Sequence, residues 1–168
     1  MKQNQQHHPS IAKTILAMKA KKNIALIAHD HRKMDLLDWA DYNRDLLAKH
    51  NLFGTGTTGS LAAKKLNLPV HTFKSGPLGG DLQIGAAIID NKIDIMIFFW
   101  DPLQAQPHDV DVKALLRISV VYNIPLACNR ASADFLISSE LMDTKYERFV
   151  VDYSQRLKTD FTKAMENQ

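Results

Sequence analysis

Residues 94–100 read DIMIFFW, and this stretch decides the fold class. It is short and apolar at nearly every position, which is typical of a strand in a parallel sheet whose two faces are both covered by helices. It is far below the roughly 18–20 apolar residues that a membrane-spanning helix requires. The stretch therefore predicts a central strand of an α/β fold.

Working outward, four further apolar runs alternate with segments whose apolar residues recur at helical spacing. We predict strands at 23–28, 52–53, 69–73 and 125–128, with a possible extra strand at 148–151. Helices are predicted at 33–50, 60–66, 82–90, 110–122, 133–138 and 154–166. This alternation predicts a three-layer α/β/α sandwich, Rossmann-like, with a mostly parallel five-stranded sheet.

Length and charge indicate one domain with a tail. The chain has 168 residues, and we expect a polar basic N-terminal tail at 1–22 and a single domain at 23–168. Residues 1–29 carry five lysines and no acid, whereas the remainder carries 16 basic and 18 acidic side chains. The net charge of +3 therefore reflects the tail, and no nucleic-acid or membrane partner is expected. The single cysteine, Cys128, and the lack of a secretory signal predict a cytoplasmic location.

Polar segments follow each predicted strand, where α/β proteins bind their ligands. After the second strand comes GTGTTG at 54–59, which matches a dinucleotide pattern but lacks the acid that would bind a ribose after the next strand. The hydroxyls of Thr55, Thr57 and Thr58, together with a helix N-terminus, suit a phosphomonoester. A tight turn with a threonine N-cap remains the alternative.

The next segment, SGPLGGD at 75–81, repeats the theme of a hydroxyl, glycines and a helix start. Asp81 is either the N-cap of that helix or a general base beside a phosphate. Two histidines, His29 and His31, have a spacing that metal ligands can use, but no third and fourth ligand have recognisable spacing, so a role in positioning substrate is the other interpretation. Lys33 can supply a charge to a phosphate oxygen.

The segment at 101–111 adds three candidates. Asp101 ends a buried strand and needs hydrogen bonds, His108 can donate to a carbonyl oxygen, and Asp111 lies in a helical first turn. Cys128 is interpreted as a core residue rather than a reactive thiol, because no basic partner is evident.

Taken together, five segments resemble the methylglyoxal synthase family over about residues 23–153. They are AHDH at 28–31 with Lys33, GTGTTG at 54–59, SGPLGGD at 75–81, FFWDPLQAQPHDVDVKALLR at 98–117 and PLACNRASAD at 125–134. The resemblance implies conversion of dihydroxyacetone phosphate to methylglyoxal and inorganic phosphate, without a metal or organic cofactor. It also implies cytoplasmic homohexamers that phosphate inhibits allosterically.

The resemblance further implies a role for each matching residue. Asp81 would be the catalytic base, His108 its partner at the carbonyl, and Asp101 and Asp111 supporting carboxylates. Substrate and phosphate would be bound by His29, Lys33, Thr55, Gly56, Thr57, Thr58, Ser75 and Gly76, with Asp30 a structural neighbour.

Two other functions remain open at this point. The fold also resembles the regulatory domains of carbamoyl phosphate synthetases, which bind effectors without chemistry, and that alternative predicts loss of the base and the histidine, both of which are present here as Asp81 and His108. A phosphosugar isomerase is the second alternative, because a fold alone does not determine the reaction.

Overall fold

The computed structural model describes residues 13–105 and 109–154, which contain seven strands and six α-helices. The strands are β1 (Lys13–Met18), β2 (Asn23–Ala28), β3 (Asn51–Gly54), β4 (Val70–Thr72), β5 (Ile95–Phe99), β6 (Leu126–Ala127) and β7 (Tyr146–Val151). The helices are α1 (Lys33–Tyr42), α2 (Arg44–Leu47), α3 (Gly56–Leu66), α4 (Gly80–Ile89), α5 (Asp109–Val121) and α6 (Arg130–Ile137). No helix in these ranges is both long enough and apolar enough to cross a bilayer.

Five of the strands form one sheet in the spatial order β4-β3-β2-β5-β6. Every neighbouring pair in it is parallel, with Ile24 of β2 opposite Leu52 of β3 and Ile95 of β5. Because all five strands run the same way, their carboxyl ends meet at one edge of the sheet. The predicted five-stranded parallel sheet is confirmed.

Helices cover both faces of this sheet, since successive side chains of a strand point to opposite sides. Ile24 and Leu26 of β2 belong to the core beneath α1, α3 and α6. Ala25 and Ile27 belong to a second core beneath α4 and α5. All five residues of β5 are buried, as both cores require. The three-layer α/β/α architecture is therefore confirmed.

The two remaining strands, β1 and β7, form a separate antiparallel ribbon. This corrects the predicted tail, because residues 13–18 are a strand rather than tail. Lys22, also assigned to the tail, is buried, and its ammonium group donates to the carbonyl oxygens of Lys19 and Thr144. The possible strand at 148–151 is confirmed and begins earlier, at Tyr146.

Several helix limits differ from the prediction. The helix expected at 33–50 is divided at Asn43, whose side-chain nitrogen donates to the carbonyl oxygen of Trp39 (2.9 Å). Helices α3 and α4 begin earlier than expected, at Gly56 and Gly80, so much of both glycine-rich segments is helical. Apart from Ser154, the helix predicted at 154–166 lies outside the described residues.

Candidate active site

A pocket of about 200 Å³ lies at the carboxyl ends of β2, β3 and β4. It brings together eight of the predicted site residues: His29, Lys33, Thr55, Thr57, Thr58, Ser75, Gly76 and Asp81. Asp30 and Pro77 also line it. The parallel sheet explains this convergence, because the segments that follow neighbouring strands emerge side by side.

The threonine segment forms the first turns of α3. Thr55 occupies the N-cap position, as the turn alternative predicted, but its side chain makes no capping hydrogen bond. Thr55 and Thr58 are both buried, and the Thr58 hydroxyl has no hydrogen-bond partner among the described residues. Because a buried hydroxyl without a partner is costly, its place in the pocket favours a hydrogen bond to a bound ligand.

The glycines of this segment allow close backbone packing. A Cβ on Gly54 would lie 2.7 Å from the Cα of Gly59, and one on Gly56 would lie 2.9 Å from the amide nitrogen of Ser75. The amide of Gly56 also donates to the carbonyl oxygen of Lys74 (3.0 Å). Gly56 does not itself line the pocket, but its lack of a side chain brings the two glycine-rich segments together.

The second segment turns sharply before α4. Residues Gly76–Leu78 form a 3-10 helix, and Gly79 follows with φ at 89°, a left-handed conformation that favours glycine. Gly80 then packs so tightly that a Cβ there would lie 2.0 Å from the carbonyl oxygen of Lys74. The side-chain oxygen of Gln83 accepts from the Lys74 amide (2.8 Å), which ties the start of the segment to α4.

Asp81 is the second residue of α4 and is only 3% exposed. The N-cap of this helix is Gly79, so the alternative that Asp81 is the N-cap is wrong. At a helix N-terminus the helix dipole stabilises a negative charge. The fold therefore holds a buried carboxylate in the pocket beside the hydroxyl-bearing segments.

His29 lies directly after β2, and its Nδ1 accepts a hydrogen bond from the backbone amide of Asp101 (3.2 Å). A neutral imidazole that accepts at Nδ1 carries its proton at Nε2. The Phe98 ring packs edge-on against the imidazole, with ring centroids 5.2 Å apart. These two contacts fix the orientation of the His29 imidazole at the pocket.

Lys33 is the first residue of α1, where the helix dipole disfavours a cation. Its ammonium group pairs with the carboxylate of Asp30, three residues earlier. The hydrogen bond and the charge of Lys33 lower the pKa of the Asp30 carboxyl. Asp30 is thus more than a neighbour of the site, since it lines the pocket and pairs with its lysine; the i, i+3 spacing was the signal in the sequence.

The remaining predicted residues are placed differently. Asp101 lies next to the pocket, where its carboxylate accepts from the Leu103 amide (3.1 Å) and approaches the His31 imidazole (3.5 Å). Asp111 lies in the first turn of α5 and does not line the pocket. His108 lies outside the described residues. The catalytic roles assigned to these three residues stay predictions.

Comparisons of this chain with known proteins point to one family. The model of the MGS-like domain family matches residues 35–128. A methylglyoxal synthase from Leptospira interrogans is 55% identical over 145 residues, which is 86% of this chain and 98% of that protein. The chain belongs to the methylglyoxal synthase family.

Other members of the methylglyoxal synthase family match over similar lengths. The enzyme from Clostridium acetobutylicum is 56% identical over 143 residues, covering 85% of this chain and 99% of that one. The crystal structure of methylglyoxal synthase from Elizabethkingia anophelis NUHP1 superimposes with a TM-score of 0.81 at 51% identity, covering 86% of this chain and 95% of that one. The family predicted from the five motifs is confirmed.

Metal binding and thiol chemistry were the remaining alternatives at this site. Within the described residues, no group of three or more histidine, cysteine, aspartate or glutamate side chains is arranged to hold a metal ion. His71, a histidine from another strand, is exposed on the edge strand β4. Burial raises the pKa of the Cys128 thiol, so that thiol is neutral near pH 7 and a poor nucleophile.

Proposed function

We propose that this chain is a carbon–oxygen lyase that converts dihydroxyacetone phosphate to methylglyoxal and inorganic phosphate. One observation carries the proposal: a buried carboxylate, Asp81, shares a small pocket with the hydroxyls of two glycine-rich segments. The reaction needs a base and a phosphate-binding region within one substrate's length of each other. The name of the relatives, methylglyoxal synthase, supports the same reaction.

The first step is removal of a proton next to the ketone. Asp81 takes the proton from the hydroxymethyl carbon, and the electron pair moves to the carbonyl oxygen, giving an enediolate. Hydrogen-bond donors at that oxygen stabilise the developing charge. His108 is the donor that the family resemblance implies, and the neutral His29, with its proton at Nε2, is suited to donate in the same pocket.

The second step is loss of phosphate. The hydroxyl on the former hydroxymethyl carbon loses its proton, and its electron pair forms the aldehyde. The pair of the carbon–carbon double bond then shifts toward the phosphate-bearing carbon, whose bond to the bridging phosphate oxygen breaks. The products are inorganic phosphate and an enolate, which becomes methylglyoxal when a proton is added to its terminal carbon. No oxidant or reductant is required, because one carbon is oxidised as another is reduced.

Phosphate is bound, in this proposal, by the hydroxyls of Thr55, Thr57, Thr58 and Ser75, with charge from Lys33. The N-terminus of α3 adds backbone amides and the positive end of its dipole. The Thr58 hydroxyl, which has no hydrogen-bond partner in the described part of the protein, is a ready donor. Asp30 pairs with Lys33, so the ammonium group has a counter-charge within the protein itself.

The proposal also covers the location, the assembly and the inhibition of the enzyme. On the basis of the family resemblance, we propose a cytoplasmic homohexamer that inorganic phosphate inhibits. Light scattering at several protein concentrations tests the assembly, and phosphate titration of the initial rate tests the inhibition. A monomer at all concentrations would contradict the first, and rates independent of phosphate would contradict the second.

The reaction is tested by incubating the purified full-length chain with dihydroxyacetone phosphate in the presence of a chelator. We expect methylglyoxal and inorganic phosphate to form in equal amounts, because one elimination releases one of each. Boiled protein controls for spontaneous elimination. Binding of the substrate without either product would instead favour a sensing domain, and would contradict the proposal.

A further inference from the structure

A second cavity, of about 380 Å³, lies at the opposite edge of the sheet, where the parallel strands begin. Asn23 and Asn51 are the first residues of β2 and β3, and Asp94 directly precedes β5. The polar residues that line the cavity are Lys19, Lys21, Asn23, Asn51, Asn91 and Asp94. None of them belongs to the candidate active site.

The cavity is rich in hydrogen-bond donors that the protein itself does not use. The oxygen of Asn23 accepts from the Asn51 side chain, and the oxygen of Asn91 accepts from Arg148, each at 2.8 Å. These two hydrogen bonds use only the side-chain oxygens of Asn23 and Asn91. Among the described residues, their side-chain nitrogens donate to no protein group and can serve as donors to a ligand. In the described part of the chain, the ammonium groups of Lys19 and Lys21 form no ion pair.

Arg148 is 1% exposed and does not itself line the cavity, but its Nη2 donates to the side-chain oxygen of Asn91 in the lining (2.8 Å). Within the described residues its Nε and Nη1 have no hydrogen-bond partner, and no carboxylate lies within ion-pair distance of its guanidinium. Asp94 is the acidic group whose charge acts on Arg148, and its own Oδ2 accepts from the Asn23 amide (2.8 Å). A buried cation in this setting requires a counter-charge, because desolvation is costly.

We propose that this cavity binds a small oxyanion, a carboxylate or a phosphate, that serves as the counter-charge to Arg148. Lys19 and Lys21 supply positive charge at the cavity wall, and Asn91 connects the bound anion to the guanidinium through its amide. The lining stays positive even with Asp94 ionised, since two lysines and the adjacent arginine outnumber one carboxylate. The site is independent of the reaction at the other edge of the sheet.

The first test counts bound phosphate per chain by equilibrium dialysis. The active pocket is first disabled in the full chain by combining Lys33→Met with Ser75→Ala, so that only a second site remains. We expect this background to bind one inorganic phosphate per chain. Adding Lys21→Ala should weaken that binding at least about tenfold, because a charge-assisted contact is lost. Lys64→Ala, an exposed lysine on α3, is the matched control and should change nothing.

Malonate in place of phosphate distinguishes the two sources of oxyanion. Binding of both probes with the same dependence on Lys21 identifies a general oxyanion site, and binding of phosphate alone identifies a phosphate site. If neither probe binds the background variant, the proposal is overturned. It is also overturned if binding occurs but is unaffected by Lys21→Ala.

Asn91→Asp supplies the missing counter-charge from the protein itself. The aspartate keeps the side-chain shape, tolerates the φ of 55° at this position, and places a carboxylate on Arg148. In the same background we expect it to raise the melting temperature in anion-free buffer and to weaken phosphate binding at least about tenfold. Unchanged phosphate binding together with an unchanged melting temperature would contradict the role assigned to Arg148.

Discussion

The backbone geometry of two glycines determines the position of Asp81. The left-handed Gly79 and the closely packed Gly80 start α4 at a point where its second residue lies in the pocket. A general base must lie within reach of the proton that it removes. The position of Asp81 in the pocket meets that requirement of the proposed role.

Replacing Asp81 by Asn should lower kcat at least about 10²-fold, because the amide keeps the shape but cannot accept the proton. Phosphate affinity, measured by calorimetry, should be retained, since the hydroxyls and Lys33 are unchanged. Asp90→Asn is the control: this aspartate follows the other end of α4, is exposed, and should leave kcat unchanged. More than a tenth of the original activity in Asp81→Asn would refute the role of base.

His50 lies far from the pocket and links stability to pH. Its side chain is buried, and its Nδ1 accepts from the backbone amide of Lys22 (3.3 Å). Burial lowers the pKa of His50, with Asp143 acting in the opposite direction. The unfolded histidine titrates near pH 6.5, so below about that pH the unfolded chain binds a proton that the folded chain resists.

The free energy of unfolding should therefore fall as the pH drops from about 6.5 toward the lowered pKa of His50, and this contribution should be constant above about pH 6.5. His50→Asn should reduce that fall, because Asn offers an oxygen at the Nδ1 position and does not titrate. Urea unfolding at pH 7.5 and 5.5 measures the difference. The exposed His71 provides the control, since His71→Asn should keep the parent's pH dependence. Identical pH dependence in His50→Asn and the parent would count against this account.

Helix α4 contains two glycines that differ in whether a side chain would fit. A Cβ on Gly80 would lie 2.0 Å from a backbone oxygen, whereas a Cβ on Gly85 meets only a Leu115 methyl at 3.9 Å. We expect Gly80→Ala to destabilise the fold and displace Asp81. Gly85→Ala should stabilise it by about 0.5–1 kcal/mol, because alanine loses less backbone entropy in a helix interior. Urea unfolding of both variants measures this, and equal effects would contradict it.

The sequence predicts best those strands and helices whose burial is evident from their own residues and does not depend on a distant partner. The limits of β2 at 23–28 match the prediction, since its apolar run is continuous. Strand β1 was missed because its partner, β7, is more than a hundred residues away, and because Lys13 and Lys19 on either side of its apolar residues resemble a tail. The early starts of α3 and α4 were missed because glycine favours loops, while here packing against neighbouring backbone permits helix.

The position of the site was predictable because the carboxyl ends of parallel strands meet at one edge of the sheet. That argument places the pocket and eight of its residues without any side-chain detail. It could not show that Asp101 acts on His29 through a backbone amide, because that contact depends on the register of β2 and β5. It also could not show the orientation that leaves Asp111 outside the pocket lining.

At the scale of the whole molecule, the two edges of one sheet have separate chemistry. The carboxyl edge holds the proposed base and the proposed phosphate-binding segments, and the amino edge holds the donor-rich cavity near Arg148. The two sites have no lining residue in common, so a change at one edge need not alter the other. Variants of the two sites should therefore affect stability additively.

The position of the phosphate relative to the base decides which way the enediolate reacts. Isomerisation and phosphate loss share this intermediate, and elimination is fast only when the bridging carbon–oxygen bond stands perpendicular to the enediolate plane. Two adjacent segments, one running directly into Asp81, hold the phosphate beside the base in our proposal. Alignment of this kind changes rates by orders of magnitude.

The most direct test is the product ratio when the purified chain consumes dihydroxyacetone phosphate, with methylglyoxal and glyceraldehyde 3-phosphate measured in the same sample. Trapping reagents for each product should be present from the start, so that neither reacts further. The account predicts methylglyoxal as the dominant product, matched by inorganic phosphate. Glyceraldehyde 3-phosphate as the main product, with methylglyoxal only a trace, would contradict both the proposed phosphate geometry and the proposed function.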